Sequence, residues 1–574
     1  MEKKAKKQSF MINVSIILLA QIAVKILGMV YRMVITNIGG FGDQGNGYYS
    51  SGFQVYTLLL AISSVGIPNA ISKMTAERNA LGDYKGAHKI FKSALALFTI
   101  VGLIGTFLLF FGADFIAQTI IGLPKTKYVL MALSPSILFV CVSSVIRGYF
   151  TGMDNMQATS NSQVLEQVFK CVLTILIVYC MAKITIFPDD PDSNAAALAA
   201  GANFATSLAT VLSCLYLFVF YKKRKKAIWK KVRGTTVPTI QKPLGAMFKS
   251  ILMISIPISL GAIISAINRI VDTATISRGI QTAFSAMIPA YGNTAAIINP
   301  TINQLEEEAV RLAGVLSKSD TLINLPIAMN IAFATVLVPS ISGALAIGDK
   351  KEASEKVTYS LLISILLILP CAVGYIALAQ PIYQILYPNA QLGYDLLQIS
   401  AVALIFIALN QTISGSLQGI GKIYAPATGL LIGCIVKFIL NVILIRQPQI
   451  NIYGAPISSI VCQVISFSYG FTVLSKQLSL KLTLGKYVLK PLLAAGIMGG
   501  VALGVYKAAI LGLGALISSA FISNLIATLL AILIAAVVYF ILVACFRILS
   551  AHEIEMLPMG RKLLAVLKKT GLYK

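Results

Sequence analysis

At 574 residues, 57% hydrophobic and only 12% charged, the chain has too few charges to cover a water-facing surface, where a soluble protein carries roughly 25%. A formal net charge of +26 would point to nucleic acid in a soluble protein, but the lysines and arginines gather in loops between apolar blocks. They therefore report membrane orientation and speak against a nucleic-acid partner.

Apolar blocks of about 20 to 30 residues are long enough to cross a hydrocarbon core of roughly 30 Å. In chain order they predict spans over residues 10–38, 49–72, 90–121, 127–152, 159–182 and 195–220. A second series follows over 248–277, 321–346, 357–387, 393–419, 424–446 and 453–475, and a last pair over 487–510 and 519–547. The N-terminus, MEKKAKKQSF, is basic, but the apolar stretch behind it continues past Lys25 and Arg32 without a small-residue cleavage site. It reads as a first span and not as a removable signal peptide. Basic loops such as YKKRKKAIWKKVRG and IGDKKEASEK alternate with neutral or acidic ones such as GGFGDQGNG and FPDDPDSN, which places both termini in the cytoplasm.

The stretch 221–249 holds ten Lys and Arg and no acid, and suits a cytoplasmic linker near anionic membrane lipids. QLEEEAVRLAGVL, within the external excursion 278–320, reads as a short amphipathic helix, and 551–569 as an interfacial one. Two internal matches relate the halves. Gly148, Gly152, Ala158 and Lys170 fall on Gly415, Gly419, Ala425 and Lys437, and GIPNAIS…GDYKGA parallels LVPSISG…GDKKEA. The predicted fold is thus an all-α integral membrane protein of about fourteen transmembrane helices, two pseudo-symmetric six-helix lobes plus a C-terminal helix pair. Its boundaries are an N-lobe 1–220, a basic linker 221–249, a C-lobe 250–480, spans 13 and 14 in 481–550, and a cytoplasmic interfacial tail 551–574. A parallel repeat of this kind carries its substrate between the lobes.

An ionisable residue at mid-span costs about 2.5–3.5 kcal/mol on insertion scales, so each needs a reason. Gln21, Lys25, Gly28 and Arg32 share one face of span 1. Glu166 with Lys170 on span 5, and Arg269 with Asp272 on span 7, either neutralise one another or line a cavity. Arg147 and Arg278 lie near the interfaces, where snorkelling accounts for them. Lys25, Arg32 and Lys437 have no acid on their own spans within one turn. Lys25, Arg32, Lys170, Arg269 and Lys437 outnumber Glu166 and Asp272, and a cationic surplus suits an anionic ligand such as a phosphate or pyrophosphate. Gln163, Gln167, Asn330, Asn410, Gln411 and Gln463 add polar lining or interhelical hydrogen bonds. Two histidines, and eight cysteines at no metal-like spacing, leave metal and histidine chemistry almost nothing to work with.

KILGMVYR in span 1, RGYFTGMDNMQATS after span 4 and LINLPIAMNIAFATVLVPSISGALAIGD around span 8 resemble the polysaccharide-flippase branch of the multidrug/oligosaccharidyl-lipid/polysaccharide exporter superfamily. Within that branch the sequence resembles the stage V sporulation protein B group, similar to the lipid II flippases of bacterial cell-wall synthesis. The resemblance implies two lobes that alternate between inward and outward openings in a bacterial plasma membrane. The implied cargo is an undecaprenyl-pyrophosphate-linked sugar–peptide, and spans 13 and 14 form a groove for its lipid tail. It maps the family's span 1 cations onto Lys25 and Arg32 and its following acid onto Asp43. The chain departs from the family in lacking a central arginine in span 2 and in placing Asn330 where one is expected. It has no GxxxxGK[ST] loop, so no nucleotide or other cofactor is expected, and the membrane potential or an ion gradient acting on Glu166, Asp272 or Asp43 is left as the driving force. Two other classes compete. A cation-coupled multidrug antiporter would want acids in the cavity, and a membrane-embedded transferase would want clustered carboxylates or histidines at a membrane face.

Overall fold

The computed structural model describes residues 23–555 except 62, 64–65, 238–242, 291–295, 347–348, 479 and 481–482, together with 560, 564–565 and 568. The chain divides into two compact units, Met1–Ser317 with Phe438–Ile452, and Lys318–Lys437 with Tyr453–Lys574.

The first unit is built from α1 (residues 23–36), α2 (Gly42–Ala61), α3 (Ile67–Ala80), α4 (Tyr84–Phe111) and the single turn α5 (Ala113–Phe115). A π-helical turn, Ile116–Ile121, leads to α6 (Lys127–Gly152), α7 (Gln157–Ile184), α8 (Pro191–Arg233) and α9 (Leu244–Ala283). A short antiparallel hairpin, β1 (Met287–Ile288) with β2 (Ile297–Ile298), then leads into α10 (Ile302–Ala346). The second unit holds the rest of α10, α11 (Lys350–Leu386), α12 (Tyr394–Gly419), most of α13 (Ala425–Leu444), α14 (Gly454–Leu478), α15 (Lys490–Leu516), α16 (Ala520–Cys545) and α17 (Ala551–Glu555).

Among the described residues, ten helices are long and apolar enough to cross a membrane, or eleven with α9, which bends by 53° between Ile256 and Ile258. The other three of the fourteen expected spans fall on α1, on α2 with α3, and on α10. Residues 10–22 of span 1 lie outside the described residues, as does most of the predicted interfacial helix beyond Glu555.

Three local expectations are corrected. GGFGDQGNG reads as a loop, yet α2 begins at Gly42. It meets α10 through glycine: a Cβ on Gly47 would lie 2.1 Å from the Val310 oxygen, and one on Gly314 of α10 only 1.8 Å from the Asp43 oxygen. Asn46 Nδ2 donates to the Gly314 oxygen at 2.8 Å, completing a close α2–α10 seam of the small-residue kind that packs helices in membranes. QLEEEAVRLAGVL is no separate helix but the start of the 45-residue α10. Residues 221–233 do not form a loop either; they continue α8 without a break.

The repeat is visible as matched helix bounds. α6 runs Lys127–Gly152 and α12 runs Tyr394–Gly419, the same length displaced by the same step as Lys170 and Lys437. Asp83 caps α4 by accepting from Gly86 N, and Asp349 caps α11 by accepting from Glu352 N. A carboxylate there satisfies an orphan N–H and complements the helix dipole, so GDYKGA and GDKKEA each start a helix.

In the second unit α15 and α16 pack on α11 through Leu362, Leu369, Ala494, Met498, Ala531 and Tyr539. Tyr539 Oη donates to the Leu366 oxygen at 2.9 Å. Leu533 and Phe540 of α16 point outward, as do Phe107, Leu108 and Phe111 of α4, the inverted exposure expected of lipid-facing surfaces.

Candidate functional site

The predicted cations of the first unit converge. Lys25 on α1 lies within electrostatic reach of Arg269 on α9 and Lys170 on α7. One turn along α1, a Cβ on Gly28 would touch Gln167 Nε2 of α7 at 3.3 Å, so the face carrying Lys25 and Gly28 is the one laid against α7. Lys25 and Arg269 are exposed, whereas Lys170 is only 8% exposed.

An aromatic stripe on α2, Tyr49, Phe53 and Tyr56 at helical spacing, supports these cations. The Lys170 ammonium lies 4.4 Å from the Phe53 ring centre and 5.5 Å from that of Tyr31. The Arg32 guanidinium lies 4.8 Å from the Tyr49 ring centre, and the Tyr31 and Tyr49 hydroxyls are 2.8 Å apart. A cation over an aromatic face is held electrostatically, and more strongly where water is excluded.

Glu166 does not pair with Lys170. Its Oε2 accepts from Arg147 Nη2 at 2.6 Å, and Arg147 also donates to Ser162 Oγ at 2.9 Å and Ser213 Oγ at 3.0 Å. The expectation that Arg147 snorkels fails because α7 and α8 place three acceptors around its guanidinium. On α9, Asp272 Oδ1 accepts from Asn441 Nδ2 of α13 at 3.0 Å, and the same amide reaches Thr275 Oγ1 at 2.9 Å. Lys437, one turn before Asn441 on α13, is 2% exposed. Asp43 sits in the first turn of α2, and Gln163 is half-buried on α7. Gln21 lies outside the described residues.

The polar residues of the second unit bind one another. Asn330 Nδ2 donates to the Ala408 oxygen at 2.8 Å and to Gln411 Oε1 at 3.1 Å, joining α10 to α12. Asn410 Nδ2 donates to Gln463 Oε1 at 2.8 Å, joining α12 to α14. Asn330 is 0% exposed and ties α10 to α12 in this structure.

Sequence reasoning missed Tyr31, Tyr49, Phe53, Asn441 and the pairing of Arg147. The α2 aromatics carried a signal, since YYSSGFQVY repeats rings at positions i, i+4 and i+7 on one helix face. The Arg147 pairing carried none, because it joins three helices.

At the Pro191 end of α8 a second charged group forms. Asp192, 4% exposed, accepts from Tyr48 Oη at 2.7 Å and pairs with Lys125 Nζ at 2.9 Å. The Ser193 hydroxyl and N–H, helped by Lys125, hold the Asp190 carboxyl down at about 2. Burial and the Asp192 charge push Glu306 and Glu307 of α10 above the usual carboxyl range.

A family model described as polysaccharide biosynthesis protein matches residues 10–342, and one described as MatE matches residues 296–443. Stage V sporulation protein B of Bacillus subtilis (strain 168) is 26% identical over 565 residues, covering 97% of this chain and 99% of that protein. Lipid II flippase MurJ of the same strain is 26% identical over 491 residues, covering 83% and 84%. Among solved structures, a lipid II flippase MurJ in an inward closed conformation superposes with a TM-score of 0.64 at 16% identity, over 92% of this chain and 98% of that one. An inward-facing MATE family multidrug resistance transporter superposes with a TM-score of 0.59 at 16% identity, over 80% and 98%. These likenesses show a shared all-helical fold.

Proposed function

The chain belongs to the polysaccharide biosynthesis protein family and is a transporter of the multidrug/oligosaccharidyl-lipid/polysaccharide exporter superfamily, and from that premise we propose that it flips an anionic, lipid-linked cell-wall precursor. The cargo is an undecaprenyl-pyrophosphate-linked glycan, lipid II or one similar, carried from the inner to the outer leaflet by alternating access. The observation that carries this reading is that Lys25 lies within electrostatic reach of both Lys170 and Arg269 in the first unit, on the α1 face laid against α7. Lys25 is repelled by both neighbours, and a pyrophosphate would relieve that repulsion.

Outward movement of an anionic headgroup is aided by an inside-negative potential, about 2.3 kcal/mol per charge per 100 mV. The emptied cationic site is then drawn back inward by the same field. Asp272, Glu166 and Asp43 are the acids through which an ion could couple. Eight Lys and Arg in residues 221–233 support a reading in which that end of α8, and with it both termini, faces the cytoplasm from a bacterial plasma membrane.

The competing reading is a cation-coupled multidrug antiporter, favoured by the match of α10 to α13 to the MatE family. It requires acids facing the cargo, and Glu166 is instead bound by Arg147. The test is depletion of the protein in cells lacking any redundant flippase, followed by addition of an external enzyme that degrades the lipid-linked precursor. Shielded precursor is the expected result. Precursor that stays fully accessible overturns the proposal.

A further inference from the structure

The first unit holds a cavity of about 510 Å³ lined by Gln118, Arg278, Gln281, Thr282, Glu306 and Arg446, with Gly122 and Pro124 closing the wall. Glu306 feels the charges of Asp192 and Lys125, so the cavity lies at the Pro191 end of α8, opposite its basic extension. We propose that this cavity is a binding site for an acidic saccharide, a hydroxylated ring bearing one anionic group.

The lining dictates that chemistry. An apolar lipid chain or drug takes a pocket walled mainly by hydrophobic and aromatic side chains. Here the wall is two guanidiniums, two carboxamides, a hydroxyl and a carboxylate, with a formal charge of +1 from two arginines and one glutamate. Planar amides, guanidiniums and carboxylates present paired donors and acceptors, which match the vicinal hydroxyls of a sugar. The charge left over matches one anionic substituent, held by the fork geometry of arginine. The volume suits one or two sugar rings.

The cavity is open on one side, and its wall is fixed by bonds between elements. Arg446, two residues past the end of α13, makes no side-chain hydrogen bond or ion pair among the described residues, so its donors are available. Arg278 uses one nitrogen on the Thr119 oxygen, which fixes its guanidinium against the π-helical turn and leaves its other donors. Gln281 Nε2 donates to the Gly122 oxygen at 2.9 Å and Ser277 Oγ donates to it at 3.2 Å, tying α9 to the same turn. Gly122 has φ +76°, and a Cβ there would lie 3.2 Å from Arg278 Cγ, so only glycine lets the wall approach Arg278 without strain. The role of the site, holding the glycan part of a cargo at the end where it leaves, rests on the flippase reading; the existence of the site does not.

The test uses the full chain in lipid nanodiscs, titrated calorimetrically with D-glucuronate, D-glucose or inorganic phosphate. Glucuronate is expected to bind saturably and at least tenfold more tightly than glucose or phosphate. Arg446→Gln and Arg278→Gln should each weaken it at least tenfold, and Lys422→Gln, an exposed cation elsewhere, should leave it unchanged. Gly122→Ala removes no charge and is expected to weaken binding as well, by displacing Arg278. Equal binding of phosphate identifies a bare anion site and overturns the proposal. Equal binding of glucose, absence of glucuronate binding, or full binding in both arginine variants also overturns it. Because transport is not measured, failure here leaves the flippase reading to its own depletion assay.

Discussion

Arg147 closes on Glu166 at 2.6 Å, and this bond determines the electrostatics of α7. Glu166 lies one turn before Lys170, so an i,i+4 pair was the local expectation. With the carboxylate committed to Arg147, Lys170 rests against the rings of Phe53 and Tyr31 and bonds the Tyr49 hydroxyl. Removing one partner of an enclosed ion pair costs roughly 3–5 kcal/mol, and less where a side chain is partly open. The Glu166 side chain is 28% exposed, so Arg147→Leu should destabilise by about 2 kcal/mol. A lowered melting temperature of the purified protein would show it, and Arg147→Leu with Glu166→Leu should recover most of the loss. Equal melting of the single and double variants would sink the pairing argument.

The cluster of Lys25, Lys170 and Arg269 predicts opposite effects on stability and transport. Lys170 is buried beside the like charge of Lys25, so Lys170→Met should leave melting unchanged or raise it. The same change should lower flipping at least tenfold, since each lost pyrophosphate contact of this charge-assisted kind is worth about 1.5–3 kcal/mol. Reconstituted vesicles with a fluorescent lipid-linked pyrophosphate would measure it. Undiminished flipping in both Lys170→Met and Lys25→Ala would make those lysines structural.

The α2–α10 seam predicts a contrast between glycines. Gly314→Ala drives a methyl to 1.8 Å from the Asp43 oxygen, and backbone cannot yield as a side-chain tip can. Overpacking of this kind costs about 1–3 kcal/mol. Gly374 on α11 has nothing within 4 Å of a built Cβ, so Gly374→Ala should gain up to about 1 kcal/mol from helix propensity. Paired melting measurements on the two variants check the sign difference, and comparable melting of both would refute it.

Much of this was legible in the chain. Apolar block length located helices because spanning a membrane fixes a minimum length, and GDYKGA and GDKKEA marked two helix starts because Asp is a strong N-cap. The cations Lys25, Lys170 and Arg269 were identifiable because each violates a bilayer on its own. What remained hidden was pairing between helices. Nothing near Arg147 in sequence announces Glu166, and Asn330 looks equally suited to a ligand or to Ala408 and Gln411. The glycines of GGFGDQGNG misled in a different way, since glycine serves both turns and close helix contacts, and only the partner α10 distinguishes the two.

The carboxyls at the Pro191 end of α8 predict pH effects of opposite sign. Burial and the neighbouring Asp192 push Glu307 above the usual carboxyl range, with Asp190 adding to the rise and Lys125 opposing it. A raised folded value means the native state holds that proton more tightly than the unfolded chain does. Its contribution is therefore present below the ordinary carboxyl range and lost as pH rises through the folded value. Glu307→Gln imitates the protonated form, so it should melt above the parent at pH 8 and together with it near pH 4. Asp190 behaves in reverse: Ser193 and Lys125 hold it at about 2, so its contribution is present above the ordinary range and lost only as pH falls toward that value. Asp190→Asn should melt below the parent at pH 8, and the gap should narrow on acidification. Melting curves of Glu307→Gln from pH 8 to pH 4 and of Asp190→Asn from pH 8 down to about pH 2 check both signs, and a Glu307→Gln protein no more stable than the parent at pH 8 would rule out the repulsion.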